Sequence, residues 1–445
     1  MKKTMIHYPF LTQDIEIYER DNGHKIVLAH KEGGLVNISS WVKTGSINET
    51  DKNNGISHFL EHLMFKGTAK HKAGEFDKIL ESKGAIVNAA TWKDYTFYYV
   101  TLPKGEGNKD FYEAIELHAD MMLNPALPEN EIGAIFDVND SNITEKRERH
   151  VVIEEIRMRK DQPWTKVYNT ANHAMYTSHP YKRDVIGTPE IISQVTQQEI
   201  KNYYETFYSP KNITTIIVGE FDHEEILTKV EKEFDFKGRE SNPNPVLTID
   251  EPTKVTKYLE NTSCINSAFM MFGYLGTYAK DIKTTICLDM ISIILGEGSS
   301  SRLYQNLIEK RTDNVFNLVD SEHYLFKDGG NFFVQSNFDA NKKELAIELI
   351  KEELEKLKSD ITESELNKAK KKIKSRFAAE SETVSDIGEL IGYYMTVCDD
   401  LKPVEDYIEL IEQVTVEDLH ETVKKYLDVN NAVISVLLPN TLANV

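Results

Sequence analysis

His58-Phe59-Leu60-Glu61-His62 places two imidazoles four residues apart with a carboxylate between them. On a helix that spacing projects both histidines from one face. Two imidazole nitrogens placed in this way can converge on one zinc ion, although the same spacing also fits an amphipathic helix with two partly exposed histidines. A catalytic zinc takes three protein ligands while keeping one position for water. Glu61 lies beside the ligand face, within reach of such a water. A third ligand must come from elsewhere. A helical pattern from about Glu145 to Lys160 offers Glu145, Glu148, Glu154 and Glu155. Glu148 and Glu155 are two turns apart and share a face, an arrangement that suits a ligand and a carboxylate orienting the site.

The elements that must hold these groups are legible in outline. Ser57 is the expected N-cap of a helix from about Ser57 to Phe65, with Ile56, Phe59, Leu60, Leu63 and Met64 as its apolar contacts. A hairpin joins Ile15–Tyr18 to Lys25–Ala29 through Asp21-Asn22-Gly23. Strands are expected at Leu35–Val42 and, turning around Trp92-Lys93-Asp94, across Ala85–Leu102; helices are expected at 73–83 and 111–122. Gly133–Thr144 is polar and turn-rich and reads as a surface insertion.

The segment 237–252 carries Gly238, Pro243, Pro245 and Pro252 and reads as a linker. Beyond it the pattern restarts, with strands at 268–274 and 332–338 and helices at 284–295, 301–311, 342–358 and 363–380. Tyr204–Glu220 and Thr422–Pro439 both run from a helix end through an Asn-containing turn to a closing strand. The chain therefore divides into duplicated α+β halves, 1–236 and 253–445, each a mixed or antiparallel sheet layered with helices.

At 445 residues with 40% hydrophobic side chains the chain has material for two cores. The net charge of −20 argues against a phosphate-backbone partner and so against nucleic acid. No segment has the length and apolarity of a membrane span. Three dispersed cysteines, Cys264, Cys287 and Cys398, make no disulfide framework. With a polar N-terminus, the expectation is a cytoplasmic protein.

The stretch Gly55–Thr68, which contains His58-Phe59-Leu60-Glu61-His62, resembles the zinc segment of the pitrilysin/insulinase family of inverted zincins, which includes the processing peptidases. Gly84–Thr91 is similar to that family's substrate-edge strand, and His150–Ile156 to its third-ligand helix. His179-Pro180-Tyr181, Ile186–Glu190, Ser300–Tyr304 and Glu365–Lys370 extend the likeness across nearly the whole chain. The resemblance implies one zinc per chain held by His58, His62 and Glu155, with Glu154 as rival third ligand. It implies Glu61 as general base, with Glu148 completing the catalytic group as the supporting carboxylate. Substrate would add as a strand along Asn88-Ala89-Ala90-Thr91, between two domains arranged as a clam-shell. The implied activity is endopeptidase cleavage of peptides or unfolded segments.

One departure bears on partners. Family members that act alone carry an Arg and a Tyr in the second half; here those positions fall on Ile308 and Val315. The resemblance then implies a zinc-bearing subunit completed by a homologous subunit in a heterodimer. The alternatives are a homodimer or monomer using Arg311, or a zinc-binding structural subunit without activity.

Overall fold

The computed structural model describes residues 1–139, 147–239 and 256–440. In chain order the first half contains β1 (Lys2–Ile6), β2 (Ile15–Glu19), β3 (Lys25–His30), β4 (Leu35–Val42), α1 (Ile56–Met64), α2 (Glu75–Glu81), β5 (Ile86–Thr91), β6 (Thr96–Pro103), α3 (Lys109–Leu123), α4 (Glu129–Ile132) and α5 (Glu148–Lys160). It continues with α6 (Pro163–Met175), α7 (Pro189–Ile192), α8 (Gln197–Phe207), β7 (Ile213–Gly219) and α9 (His223–Glu233). The second half contains β8 (Lys257–Ser263), β9 (Ala268–Leu275), α10 (Ile282–Leu295), β10 (Phe316–Phe326), β11 (Gly329–Phe338), α11 (Lys343–Lys356) and α12 (Glu363–Ala379). It closes with α13 (Val384–Tyr393), α14 (Lys402–Gln413), α15 (Val416–Tyr426) and β12 (Val433–Pro439).

The strands form two mixed sheets, and their orders expose the duplication. One runs β1-β2-β3-β7-β4-β6-β5 and the other β10-β11-β9-β12-β8. Read from β3 and from β8, the five-strand patterns are the same. Each closing strand pairs parallel on one side and antiparallel on the other: β7 with β3 and β4, β12 with β8 and β9. The helix before each closing strand begins in a capping box, Thr196 with Glu199 and Thr415 with Asp418. The two-sheet α+β architecture expected from the sequence is therefore the observed one. β5 and β10 hold equivalent edge positions.

The chain folds as two compact units, each discontinuous in sequence. One comprises the described residues of Met1–Arg157, Arg183–Val246 and Ala378–Glu405; the other comprises those of Met158–Lys182, Leu247–Phe377 and Asp406–Val445. The sequence places 158–182 in the first half and 378–405 in the second, and each packs in the opposite unit. Amphipathicity explains the exchange: a helix with an apolar face is stabilised on whichever sheet covers that face. On α6, Val167, Ala171 and Met175 are buried, and the helix packs on β9 and β12. On α13, Ile387, Leu390 and Ile391 are buried, and the helix packs on β4 and β7. Gly392 admits the buried Trp41 indole, whose Cε2 would lie 1.9 Å from any Cβ there.

Local differences from the sequence reading have simple causes. The helix expected at 301–311 widens into a π-helical segment at Tyr304–Glu309. β1, β8 and β10 are additional strands; polar residues interrupt their alternation and mask it in the sequence. Within the unit that contains β8–β12, Val315 is buried and Ile308 packs half-buried against the same core. Arg311 forks onto Asp313, with Nε to Oδ1 at 2.9 Å. Of the expected linker, 240–252 lies outside the described residues, as do 140–144 of the expected insertion.

Candidate metal and catalytic site

α1 buries Ile56, Phe59, Leu60 and Leu63 in the core, leaving His58, Glu61 and His62 to the opposite side. Its N-terminus is not capped by Ser57, which lies inside the helix. Gly55 takes the N-cap position in the left-handed region at φ 94°, where a Cβ would meet the Ile186 carbonyl oxygen at 2.5 Å. The capping acceptor is the buried carboxylate of Glu49. It accepts from Gly55 N–H at 2.7 Å, Ser57 N–H at 2.9 Å, Ser57 Oγ at 2.6 Å and Asn54 Nδ2 at 2.7 Å. An anion at a helix N-terminus satisfies orphan N–H groups and complements the helix dipole. Burial raises the Glu49 pKa, and these donors oppose the rise. The sequence reading missed Glu49 because it lies outside the helix and arrives through a loop.

α5 supplies the acidic groups. Its backbone enters the helix at Glu148, whose N–H donates to Glu131 Oε2 at 3.3 Å. The structure brings Glu155 to the histidine pair: its Oε2 is 3.6 Å from His58 Nε2 and 3.5 Å from His62 Nε2. Ligand atoms of these three residues lie within 4.8 Å of one another. Zinc–ligand distances near 2.0–2.1 Å in tetrahedral geometry place ligand atoms about 3.3 Å apart, so this donor set has the chemistry and spacing for zinc. Glu154 is exposed and turned to Arg157, with Oε1 to Nη1 at 2.6 Å. Glu145 lies outside the described residues.

Glu148 stands behind His62. Its Oε1 accepts from His62 Nδ1 at 2.9 Å, and its Oε2 meets Lys66 Nζ at 2.6 Å. Holding a proton on Nδ1 leaves Nε2 as the nitrogen that can give up its proton and offer a lone pair to a metal. In the metal-free chain burial disfavours a charged His62, but the hydrogen bonds to Glu148 and Glu155 and the Glu61 charge prevail and raise its pKa to about 9. Burial likewise works to raise the Glu148 pKa, and hydrogen bonds from His62 and Lys66 outweigh it, leaving the value lowered. Lys66, which the sequence analysis did not single out, sits one turn beyond His62 in the same conspicuous segment.

Glu61 belongs to the same surface but to a different contact. Thr91 Oγ1, at the end of β5, donates to its Oε2 at 2.5 Å, and Thr96 Oγ1 donates to Thr91 Oγ1 at 3.4 Å. Asn88, Ala89, Ala90 and Thr91 all lie on β5, which pairs only with β6 among the described residues. Asn88 is exposed, and its Oδ1 accepts from Ala89 N–H at 2.9 Å.

The family model described as insulinase, peptidase family M16, matches residues 25–189, which contain every residue of this site. The model described as the peptidase M16 inactive domain matches residues 194–373. A zinc protease of Helicobacter pylori, PqqE, is 31% identical over 418 residues, spanning 91% of this chain and 88% of that protein. This chain belongs to the insulinase family of metallopeptidases, M16. A second relative, named an uncharacterized zinc protease, YmxG, of Bacillus subtilis, is 30% identical over 81% of this chain and 83% of its own length. The crystal structure of a protease from Helicobacter pylori superposes with a TM-score of 0.84 at 28% identity, covering 96% of this chain and 99% of that one. No described helix is long and apolar enough to cross a membrane.

Proposed function

We propose that this M16 chain is a zinc-dependent endopeptidase acting on peptides or unfolded segments, with one zinc held by His58, His62 and Glu155. The observation that carries the reading is the approach of Glu155 Oε2 to within 3.5–3.6 Å of both Nε2 atoms, with Glu61 beside them. Bound zinc supplies Lewis acidity toward water and a peptide carbonyl. Glu61 accepts a proton at its carboxylate and returns it to the leaving amine. Thr91 holds that carboxylate in place, and Glu148 keeps His62 in its ligating tautomer. The free edge of β5 aligns an extended peptide by main-chain hydrogen bonds along Asn88–Thr91.

We further propose that the chain is the zinc-bearing subunit of a two-chain peptidase in the cytoplasm. The replacement of the expected Arg and Tyr by Ile308 and Val315 supports a partner, and three dispersed cysteines that make no disulfide framework fit a reducing compartment. A second reading, a zinc-binding subunit without activity, is favoured by the same two replacements. Metal content and turnover of an unstructured peptide library, measured on the wild-type chain, His58→Ala and Glu61→Gln, test the proposal. Stoichiometric zinc with turnover lost in both variants supports a peptidase. Zinc without turnover, alone or with any co-purifying chain, supports the second reading, and full zinc occupancy in His58→Ala defeats the site.

A further inference from the structure

A guanidinium removed from water without an opposing carboxylate is costly, and among the described residues no carboxylate hydrogen-bonds Arg149. It follows Glu148 on α5 and is fully buried. Burial, with a smaller push from Arg147, brings its pKa down to about 10. Among the described residues its hydrogen-bond partners are carbonyl oxygens. Nη1 donates to Ser193 O at 2.7 Å and Ala134 O at 3.4 Å; Nη2 donates to Val195 O at 2.5 Å and Gly133 O at 3.4 Å. Its Cζ lies 5.8 Å from the ring centroid of Phe59, within cation–π range. Phe59 follows His58 on α1.

One planar group therefore ties α5 to the segment just after α7, to the segment just after α4, and to an aromatic ring on the helix that carries both histidines. Apolar contact cannot give the same definition. α5 buries few other side chains, Val152, Ile153 and Ile156, and apolar burial is non-directional. A guanidinium fork fixes direction through its rigid donors. Rotation of α5 by one residue, about 100°, would carry Glu155 away from the histidines and Glu148 away from His62 Nδ1.

We propose that Arg149 is the positioning residue that sets the rotation and register of α5 on α1, and so brings Glu155 and Glu148 to the histidine pair. This rests on the reading of His58, His62 and Glu155 as metal ligands, and the test separates the two. Zinc and cobalt(II) affinities are measured by chelator competition on the full chain, and the visible absorption of the cobalt form reports ligand geometry. Wild-type protein that binds neither metal overturns the ligand reading itself. With metal bound by the wild type, Arg149→Met should remain folded by circular dichroism, bind both metals about 10–100-fold more weakly, and show an altered cobalt band. Arg149→Lys, which keeps the charge but not the fork, should recover part of the affinity. Wild-type affinity and an unchanged cobalt band in a folded Arg149→Met protein overturn the proposal and leave the ligand reading intact. Should Arg149→Met not fold, Arg149→Lys carries the test: weakened binding with an altered band supports the role, and wild-type values for both overturn it.

Discussion

Thr91 Oγ1 donates a hydrogen bond to Oε2 of Glu61. A residue on the edge strand β5 thereby fixes the carboxylate of a residue on α1. In the proposed mechanism substrate alignment and proton transfer meet at this contact, because a peptide added to β5 would run past the group proposed as base. Glu61→Gln is expected to retain zinc and lose about 10²–10⁴ in turnover. Thr91→Val, which keeps shape and removes the donor, should keep zinc and lower kcat about tenfold. Turnover of Glu61→Gln close to wild type would remove Glu61 from the mechanism.

The pH behaviour of the metal-free chain follows from His62. Its pKa is raised from 6.5 to about 9. A raised histidine contributes stability that is fully present below 6.5 and is lost as pH rises toward 9. The thermal midpoint of the metal-free protein should fall across that window. Zinc requires the unprotonated Nε2, so apparent zinc affinity should rise about tenfold per pH unit over the same window. Glu148→Gln removes a hydrogen bond that favours the charged form and should flatten both trends. Calorimetry and chelator competition check them; a metal-free midpoint that rises from pH 6.5 to 9 contradicts the assignment.

Proline at Ala89 removes an N–H that donates to the Asn88 side chain at the edge of the sheet. Edge strands tolerate proline where central strands do not. Ala89→Pro should therefore fold and bind zinc while raising KM for extended peptides more than tenfold. Unchanged kinetics would move substrate to another edge.

Arg311 already forks onto Asp313 and is a poor candidate for replacing the missing Arg and Tyr. The isolated chain should turn over about 10²–10³ more slowly than the chain with a homologous partner supplying oxyanion donors. Arg311→Ala should leave the isolated rate unchanged. High turnover by the isolated chain, abolished in Arg311→Ala, would establish a self-sufficient enzyme. Co-purification from the source cell identifies the partner.

What the sequence determined was local. The i, i+4 spacing of His58 and His62 and the two-turn spacing of Glu148 and Glu155 dictate which side chains share a helix face, because 3.6 residues per turn leaves no other outcome. The strand Leu35–Val42 was legible residue for residue, because Gly34 and Lys43 bound it sharply. The repeated helix, turn and closing strand was legible too and proved to mark two sheets of one topology. What only the tertiary structure decided were contacts between residues far apart in the chain. Spacing could not choose between Glu154 and Glu155; the packing of α5 turned one to Arg157 and the other to the histidines. It could not assign α6 and α13 to their sheets, since an amphipathic face does not specify its partner. Nor could it find Glu49 beneath α1 or Arg149 between α5 and Phe59. Buried charges are held by partners that only the folded chain assembles, and in a linear sequence they look like any other polar residue.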